Sequence, residues 1–199
     1  MNLLTVTNLS AGYAGKQVIK DISFFVAPKT IVGILGANGC GKTTLIKAIA
    51  NLLPHTGSCQ LDDTYLENAS PRQLALLCGY IPQKSGISID LTLLDVVLMG
   101  FNPKLSLLQS PTEQMKKEAF DTLCSVGLGS RKDDNFQQLS EGQKQLCLLA
   151  RTFVLKRRLL LLDEPESALD FRLRYEMMGL LRTYVAKNNA AALVTLHDP

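Results

Sequence analysis

The sequence is poor in everything that would carry a protein through a membrane, out of a cell or onto nucleic acid. No segment offers the roughly 18 uninterrupted apolar residues of a spanning helix, and the amino terminus lacks a basic patch followed by an apolar export stretch. The chain is therefore expected to stay in the cytoplasm and to meet a membrane only through a partner. Five cysteines, at positions 40, 59, 78, 124 and 147, form no metal-spaced pair. Four of them read as small buried or half-buried hydrophobes in a reducing compartment. The net charge of +3 is modest, and Lys156-Arg157-Arg158 is too short a basic run for a nucleic-acid groove. No internal repeat or coiled-coil insertion is evident. What is present, 199 residues with 46% apolar and 20% charged content, describes one folded domain with one substantial core.

Within that domain, Gly36-Ala37-Asn38-Gly39-Cys40-Gly41-Lys42-Thr43 follows the apolar stretch Thr30 to Leu35 and precedes a second one, Thr44 to Ala50. Strand, glycine-rich loop and helix start come in the order that a bound triphosphate requires. Glycines 36, 39 and 41 let the backbone turn tightly and aim successive N–H groups inward, a concave set of donors for phosphate oxygens. Lys42 can reach the β- and γ-phosphates, the Thr43 hydroxyl suits a Mg²⁺ that bridges them, and Thr44 is a further donor. Gly36, Asn38, Gly39, Cys40, Gly41, Lys42, Thr43 and Thr44 are thus the candidate ATP contacts. Cys40 stands apart from the other cysteines because it lies inside this loop.

A phosphate cradle does not by itself hydrolyse ATP. Arg158 to Leu162 reads as a short buried strand that runs into Asp163-Glu164-Pro165, which brings two carboxylates to the end of a central strand, where open α/β sheets bind ligands. Neighbouring strand residues point in opposite directions. Asp163 is therefore assigned to the Mg²⁺ shell through water, and Glu164 to the γ-phosphate side as general base or water-positioning group.

Between these two elements lies Leu139-Ser140-Glu141-Gly142-Gln143, and with it the chain resembles the ATP-binding cassette (ABC) family of transporter ATPase subunits. The segment looks like the family's signature loop. The resemblance implies that Ser140, Gly142 and Gln143 cap the γ-phosphate held by the opposite subunit, at a helix start near Glu141, so that catalysis needs a dimer. Glu141 stands where the commonest family pattern has glycine, and it is read as tolerated variation. The same residues also read as an N-cap serine that opens an amphipathic helix.

The other family elements fall in order along essentially the whole chain. Tyr13 resembles the aromatic that stacks on adenine. Gln83 resembles the glutamine that touches Mg²⁺ and the attacking water while relaying motion to the membrane partner. Ser167-Ala168-Leu169-Asp170 resembles the loop that crosses to the other subunit, with Asp170 as its anchor. His197, after the apolar strand Ala190 to Leu196, resembles the histidine that contacts the γ-phosphate. The resemblance thus implies Glu164, His197, Gln83 and Lys42 as the catalytic set, Thr43, Gln83 and Asp163 as the metal set, and ATP with Mg²⁺ as cofactors.

Hydrophobic spacing predicts strands at Leu3 to Leu9, Ile22 to Val26, Ile31 to Leu35, Ser58 to Leu61, Leu76 to Ile81, Leu159 to Leu162 and Ala191 to Leu196. It predicts helices at Thr44 to Asn51, Leu93 to Met99, Thr112 to Val126, Glu141 to Leu155 and Phe171 to Lys187, the last interrupted by Gly179. The expected fold class is α/β, a P-loop NTPase core with an antiparallel β subdomain and an inserted helical subdomain. The core and β subdomain would span 1–85 and 158–199, and the helical subdomain with the signature loop 86–157. Ser106 to Ser110 and Pro111 mark a surface linker inside it.

The resemblance also implies partners: a second ATPase subunit in a homodimer, integral membrane permease subunits and, indirectly, an extracytoplasmic substrate-binding protein, with the chain on the cytoplasmic face of the membrane and no direct nucleic-acid binding. Leu94 to Gly100, followed by Asn102-Pro103, resembles cassettes of the importer group for iron-siderophore, haem and cobalamin chelates. An amphipathic helix ended by Gly100 explains the same residues. Family members continue for a few more strands and helices, so the chain is expected to be truncated at its carboxyl end, to be a fragment with a disordered remainder, or to be a compact variant that has lost that region, with weak or absent ATPase activity in this form. The alternative is a soluble cassette that clamps a non-membrane partner such as nucleic acid or the ribosome. Turnover stimulated by nucleic acid would mark that alternative, and co-purification with an integral membrane subunit would mark transport.

Overall fold

A computed structural model describes residues 2–83, 86–106, 108–167 and 169–196. Strands β1 (Leu4–Tyr13) and β2 (Lys16–Val26) form a long antiparallel hairpin. It turns through Ala14 and Gly15, both at positive φ (48° and 80°), the conformation that a two-residue loop between twisted strands favours. The hairpin is longer than the strands read from the sequence because β1 slips register between Val6 and Leu9, Leu9 and Ala11, and Ala11 and Gly12. Each irregularity breaks the two-residue alternation on which that reading depended. β4 (His55–Leu61) pairs with the other side of β1, and β5 (Thr64–Tyr65) with β4, giving the order β2-β1-β4-β5. β3 (Ile31–Ile34) belongs to the second sheet.

That second sheet is wholly parallel, with the order β3-β8-β7-β6, its later strands being β6 (Cys78–Ile81), β7 (Leu159–Asp163) and β8 (Ala191–Thr195). Every residue of β7 and β8 is buried, so the runs Leu-Leu-Leu-Leu-Asp and Ala-Ala-Leu-Val-Thr show no polar alternation. Successive residues nonetheless serve opposite faces. Leu159, Leu161, Ala191 and Leu193 pack with helix α1 (Lys42–Ile49) and the antiparallel sheet. Leu160, Leu162, Ala192 and Val194 pack with the helical residues that follow.

The strand expected at Leu76 to Ile81 begins at Cys78, because Pro71–Leu77 forms helix α2. Ser70 caps it, accepting from the Gln73 N–H while Gln73 accepts in return from the Ser70 N–H, and Pro71 takes the first helical position. α3 (Leu93–Leu98), α4 (Glu113–Ser125) and α5 (Glu141–Phe153) share a core around Val96, Phe101, Leu123, Phe136 and Leu146. Among the described residues this block holds only an isolated bridge between Thr92 and Asn135 in place of strands. α6 (Phe171–Lys187) then leads to β8. Because the sheet is parallel, the segments after β3, β6, β7 and β8 all leave from the same edge, which gathers the phosphate loop, Gln83 and Asp163-Glu164 at one place.

Candidate functional site

The phosphate loop joins β3 to α1, and its shape depends on Gly41. That residue has φ 105°, and a Cβ there would lie 2.8 Å from Ile19 Cγ2 on β2, so both conformation and space require glycine. Gly41 is also the N-cap of α1, which has no side-chain cap. The first-turn N–H groups therefore keep their capacity for an anion. Asn38, Gly39 and Cys40 are exposed on the loop crest, and Thr44 is buried in the first turn. Lys42 is only 6% exposed. Its Nζ donates to the carbonyls of Gly36 at 2.6 Å and Ala37 at 3.4 Å and lies 3.6 Å from Glu164 Oε1.

Both carboxylates meet this loop. Asp163 ends β7, and its Oδ1 accepts from Thr43 Oγ1 at 2.9 Å and Thr195 Oγ1 at 3.0 Å. Glu164 has a left-handed backbone, φ 48°, unusual for a residue with a side chain. Its N–H donates to Thr195 Oγ1 at 2.7 Å, and its Oε2 accepts from Gln83 Nε2 at 2.8 Å. The pleat was expected to separate the two carboxylates. Instead Glu164 lies beyond the strand in a reversed turn, and the pair bonds to adjacent loop residues, Glu164 to Lys42 and Asp163 to Thr43. Tyr80, on β6, lies near Asp163; burial first, then the Asp163 charge, push its hydroxyl pKa up to about 12.

The remaining expected site residues stand apart from this cluster. Ser140 caps α5 by accepting from the Gln143 N–H at 3.3 Å, while Gln143 Oε1 accepts from the Ser140 N–H at 3.1 Å. Gly142 is buried, and a Cβ there would lie 2.6 Å from Leu173 Cδ1, so its missing side chain makes room for α6. Glu141 points outward to pair with Lys144 at 2.8 Å, which is why a side chain is accommodated at that position. Asp170 caps α6, its Oδ1 accepting from the Leu173 N–H at 2.8 Å. Tyr13 ends β1 at the hairpin tip, 46% exposed. His197 and Ala168 lie outside the described residues.

Sequence reasoning missed Tyr80, Thr195 and Gln145. Gln145 is buried on α5 and donates to the Gln83 carbonyl at 3.4 Å. A groove of about 530 Å³ lies past the C-terminal end of α1, lined by Leu52, Leu74, Tyr80, Met99, Pro103 and Arg157 among others. Arg157 fixes its floor, donating to the carbonyls of Ala75 (2.8 Å), Thr152 (2.7 Å) and Gly100 (3.2 Å).

The family model for ABC transporters matches residues 19–167. An iron chelatin transport ATP-binding protein of Helicobacter pylori is 38% identical over 202 residues, covering 99% of this chain and 78% of the relative. The hemin import ATP-binding protein HmuV of Bordetella parapertussis is 35% identical over 204 residues, covering 98% of this chain and 77% of its own length. Among solved structures, a metal-chelate type ABC transporter in an inward-facing conformation superposes with TM-score 0.85 at 28% identity, over 100% of this chain and 74% of that one. A nucleotide-free ATP-binding cassette shares the fold with TM-score 0.88 at 24% identity, over 99% of this chain and 82% of that one. A buried lysine and a half-buried threonine of a glycine loop, bonded to two carboxylates at a strand end, are what an ATP-hydrolysing member of such a family needs; the chain belongs to the ABC transporter family, as an ATPase subunit.

Proposed function

We propose that this subunit powers the import of a metal chelate, of the iron-siderophore, haem or cobalamin kind, working as a homodimer on the cytoplasmic face of the membrane. The observation that carries the ATPase part is the convergence of Lys42, Thr43, Gln83, Asp163 and Glu164 within hydrogen-bond or ion-pair reach. Support for the cargo comes from the relatives named for iron chelatin and hemin. Residues 1–85 and 158–199 serve as the nucleotide-binding core and 86–157 as the helical subdomain.

In this reading Gly36, Asn38, Gly39, Cys40, Gly41, Lys42, Thr43 and Thr44 hold the phosphates and Tyr13 stacks on adenine. Nucleotide draws Lys42 from the loop carbonyls and Glu164 toward the β- and γ-phosphates, where its charge is shared with a stronger anion. Glu164 takes the proton of the attacking water or orients it, Gln83 holds that carboxylate through its 2.8 Å bond, and His197 contacts the γ-phosphate. Asp163 and the Thr43 hydroxyl are hard oxygen donors of the kind Mg²⁺ selects. Among the described residues no cluster of three or more His, Cys, Asp or Glu could hold an ion, which suits a cation bound largely by phosphate oxygens. When bound, Mg²⁺ supplies Lewis-acid stabilisation of phosphate charge. Ser140, Gly142, Gln143 and Asp170 act across the dimer on the other subunit's nucleotide.

The groove lined by Leu52, Leu74 and Tyr80 is the docking place for a membrane permease, which an extracytoplasmic binding protein would feed. Tyr80 lines it on the same segment as Gln83, so a partner segment seated there can feel the state of the ATP site. The test is uptake. Cells that make this protein should lose ATP-dependent uptake of ferric chelates when its gene is deleted and regain it from the parent gene but not from Glu164→Gln. Unchanged chelate uptake after deletion would contradict the proposal.

A further inference from the structure

Thr195 ends β8 with no exposed surface, directly opposite Asp163 in the parallel ladder. Its single hydroxyl serves both carboxylate residues at once, donating to Asp163 Oδ1 at 3.0 Å and accepting from the Glu164 N–H at 2.7 Å. A hydroxyl has one donor and two acceptor positions, so neither bond competes with the other. The β7–β8 ladder ends at the Asp163–Thr195 pair, and the Glu164 N–H, the first beyond it, donates to the Thr195 hydroxyl. A parallel central strand is ordinarily filled by residues such as valine. Valine at 195 would fill the same volume and remove the hydroxyl that the Glu164 N–H donates to.

We infer that Thr195 is a positioning residue for ATP hydrolysis: its hydroxyl fixes the Glu164 backbone and the Asp163 rotamer in their working arrangement before nucleotide binds. This rests on the roles assigned above to Asp163 and Glu164. Thr195 has no exposed surface. It acts by holding the Glu164 backbone and the Asp163 side chain, whose displacement by a fraction of an ångström would misplace the groups that organise the reaction. Asp163 Oδ1 also accepts from Thr43 Oγ1, which the nucleotide site itself uses; on this inference Thr195 keeps its hold on Asp163 when Thr43 turns to the nucleotide.

The test compares Thr195→Val, which keeps shape and removes the hydroxyl, with Thr195→Ser, which keeps the hydroxyl. Amide hydrogen exchange at Glu164, followed by NMR without nucleotide or metal, should be at least about tenfold faster in Thr195→Val and near the parent rate in Thr195→Ser. In steady-state hydrolysis Thr195→Val should lower kcat about tenfold with the KM for ATP within about twofold, and Thr195→Ser should restore most of the rate. Should Thr195→Val fail to fold, Thr195→Ala is held to the same exchange criterion. Unaltered Glu164 exchange, equal losses in the valine and serine variants, or a loss confined to KM would each overturn the inference. Glu164→Gln is assayed in parallel: if it hydrolyses ATP like the parent, the carboxylate assignment fails, whereas the exchange result reports on the Thr195 contact alone.

Discussion

The two helix starts assigned to the nucleotide in the proposed function are built in opposite ways. α1 begins at Gly41 with no side-chain cap, and the groups around it, Lys42, Thr43, Asp163, Glu164 and Gln83, already bond to one another within one chain. α5 begins at an exposed Ser140 in a full capping box, with the Ser140 and Gln143 side chains each accepting from the other's backbone N–H; α5 meets that cluster further along, where Gln145 donates to the Gln83 carbonyl. The first start is kept open for an anion. The second is a finished helix end, and in the proposed function its service to ATP comes from being brought against another subunit. On that proposal one chain carries a nearly assembled binding site and half of the machinery that closes it.

The contrast can be broken at either start. Lys42→Ala should have the largest effect on binding, lowering ATP affinity about a hundredfold by titration calorimetry. It removes a charge-assisted donor and leaves the Glu164 carboxylate facing the phosphates. Ser140→Ala should cost about 1 kcal/mol of stability in denaturant unfolding through the lost cap, while single-subunit ATP affinity stays within about twofold. An affinity collapse in Ser140→Ala would mean that this serine reaches the nucleotide of its own chain.

A smaller effect concerns the surroundings of the first start. Tyr80 ionises near 10.0 when free and is pushed up to about 12 in the fold by burial and by Asp163. Its neutral form is therefore favoured by folding, so its contribution to stability is full below about pH 10 and is lost as pH rises from there to about 12. The difference in stability between the parent and Tyr80→Phe should be flat at neutral pH and shrink through that window; a difference that grows there would contradict the Tyr80–Asp163 contact. Gly179 lies in the exposed middle of α6, and a Cβ there meets nothing within 4 Å. Gly179→Ala should raise stability by about 0.5–1 kcal/mol without changing ATP binding.

The sequence made the first start far more legible than its supports. Gly36 to Thr43 and Asp163-Glu164 are local runs whose chemistry is written in consecutive residues, and the buried leucines of β7 announce a central parallel strand. Thr195 and Tyr80 join the site only through the register of parallel strands, Asp163 against Thr195 and Tyr80 against Leu161, which no local pattern reveals. Gln145 reaches Gln83 across 62 residues. α2 was readable, since Ser70-Pro71 followed by Gln73 is a capping-box signal with proline in the first turn; the apolar run Leu76 to Ile81 masked it by continuing from helix into strand. For Gly142 the sequence suggested a backbone turned to phosphate, and its close approach to Leu173 could not be foreseen without knowing where α6 packs.

The most direct test of the two-start account is to follow Mg-ATP hydrolysis and molecular mass together, for the parent chain and Glu164→Gln, with and without ATP. The account predicts turnover only in the parent and an ATP-dependent dimer in Glu164→Gln, because nucleotide held at Lys42 recruits the Ser140 end of a second copy. Turnover in Glu164→Gln equal to the parent, or hydrolysis by a chain that stays monomeric throughout, would contradict it.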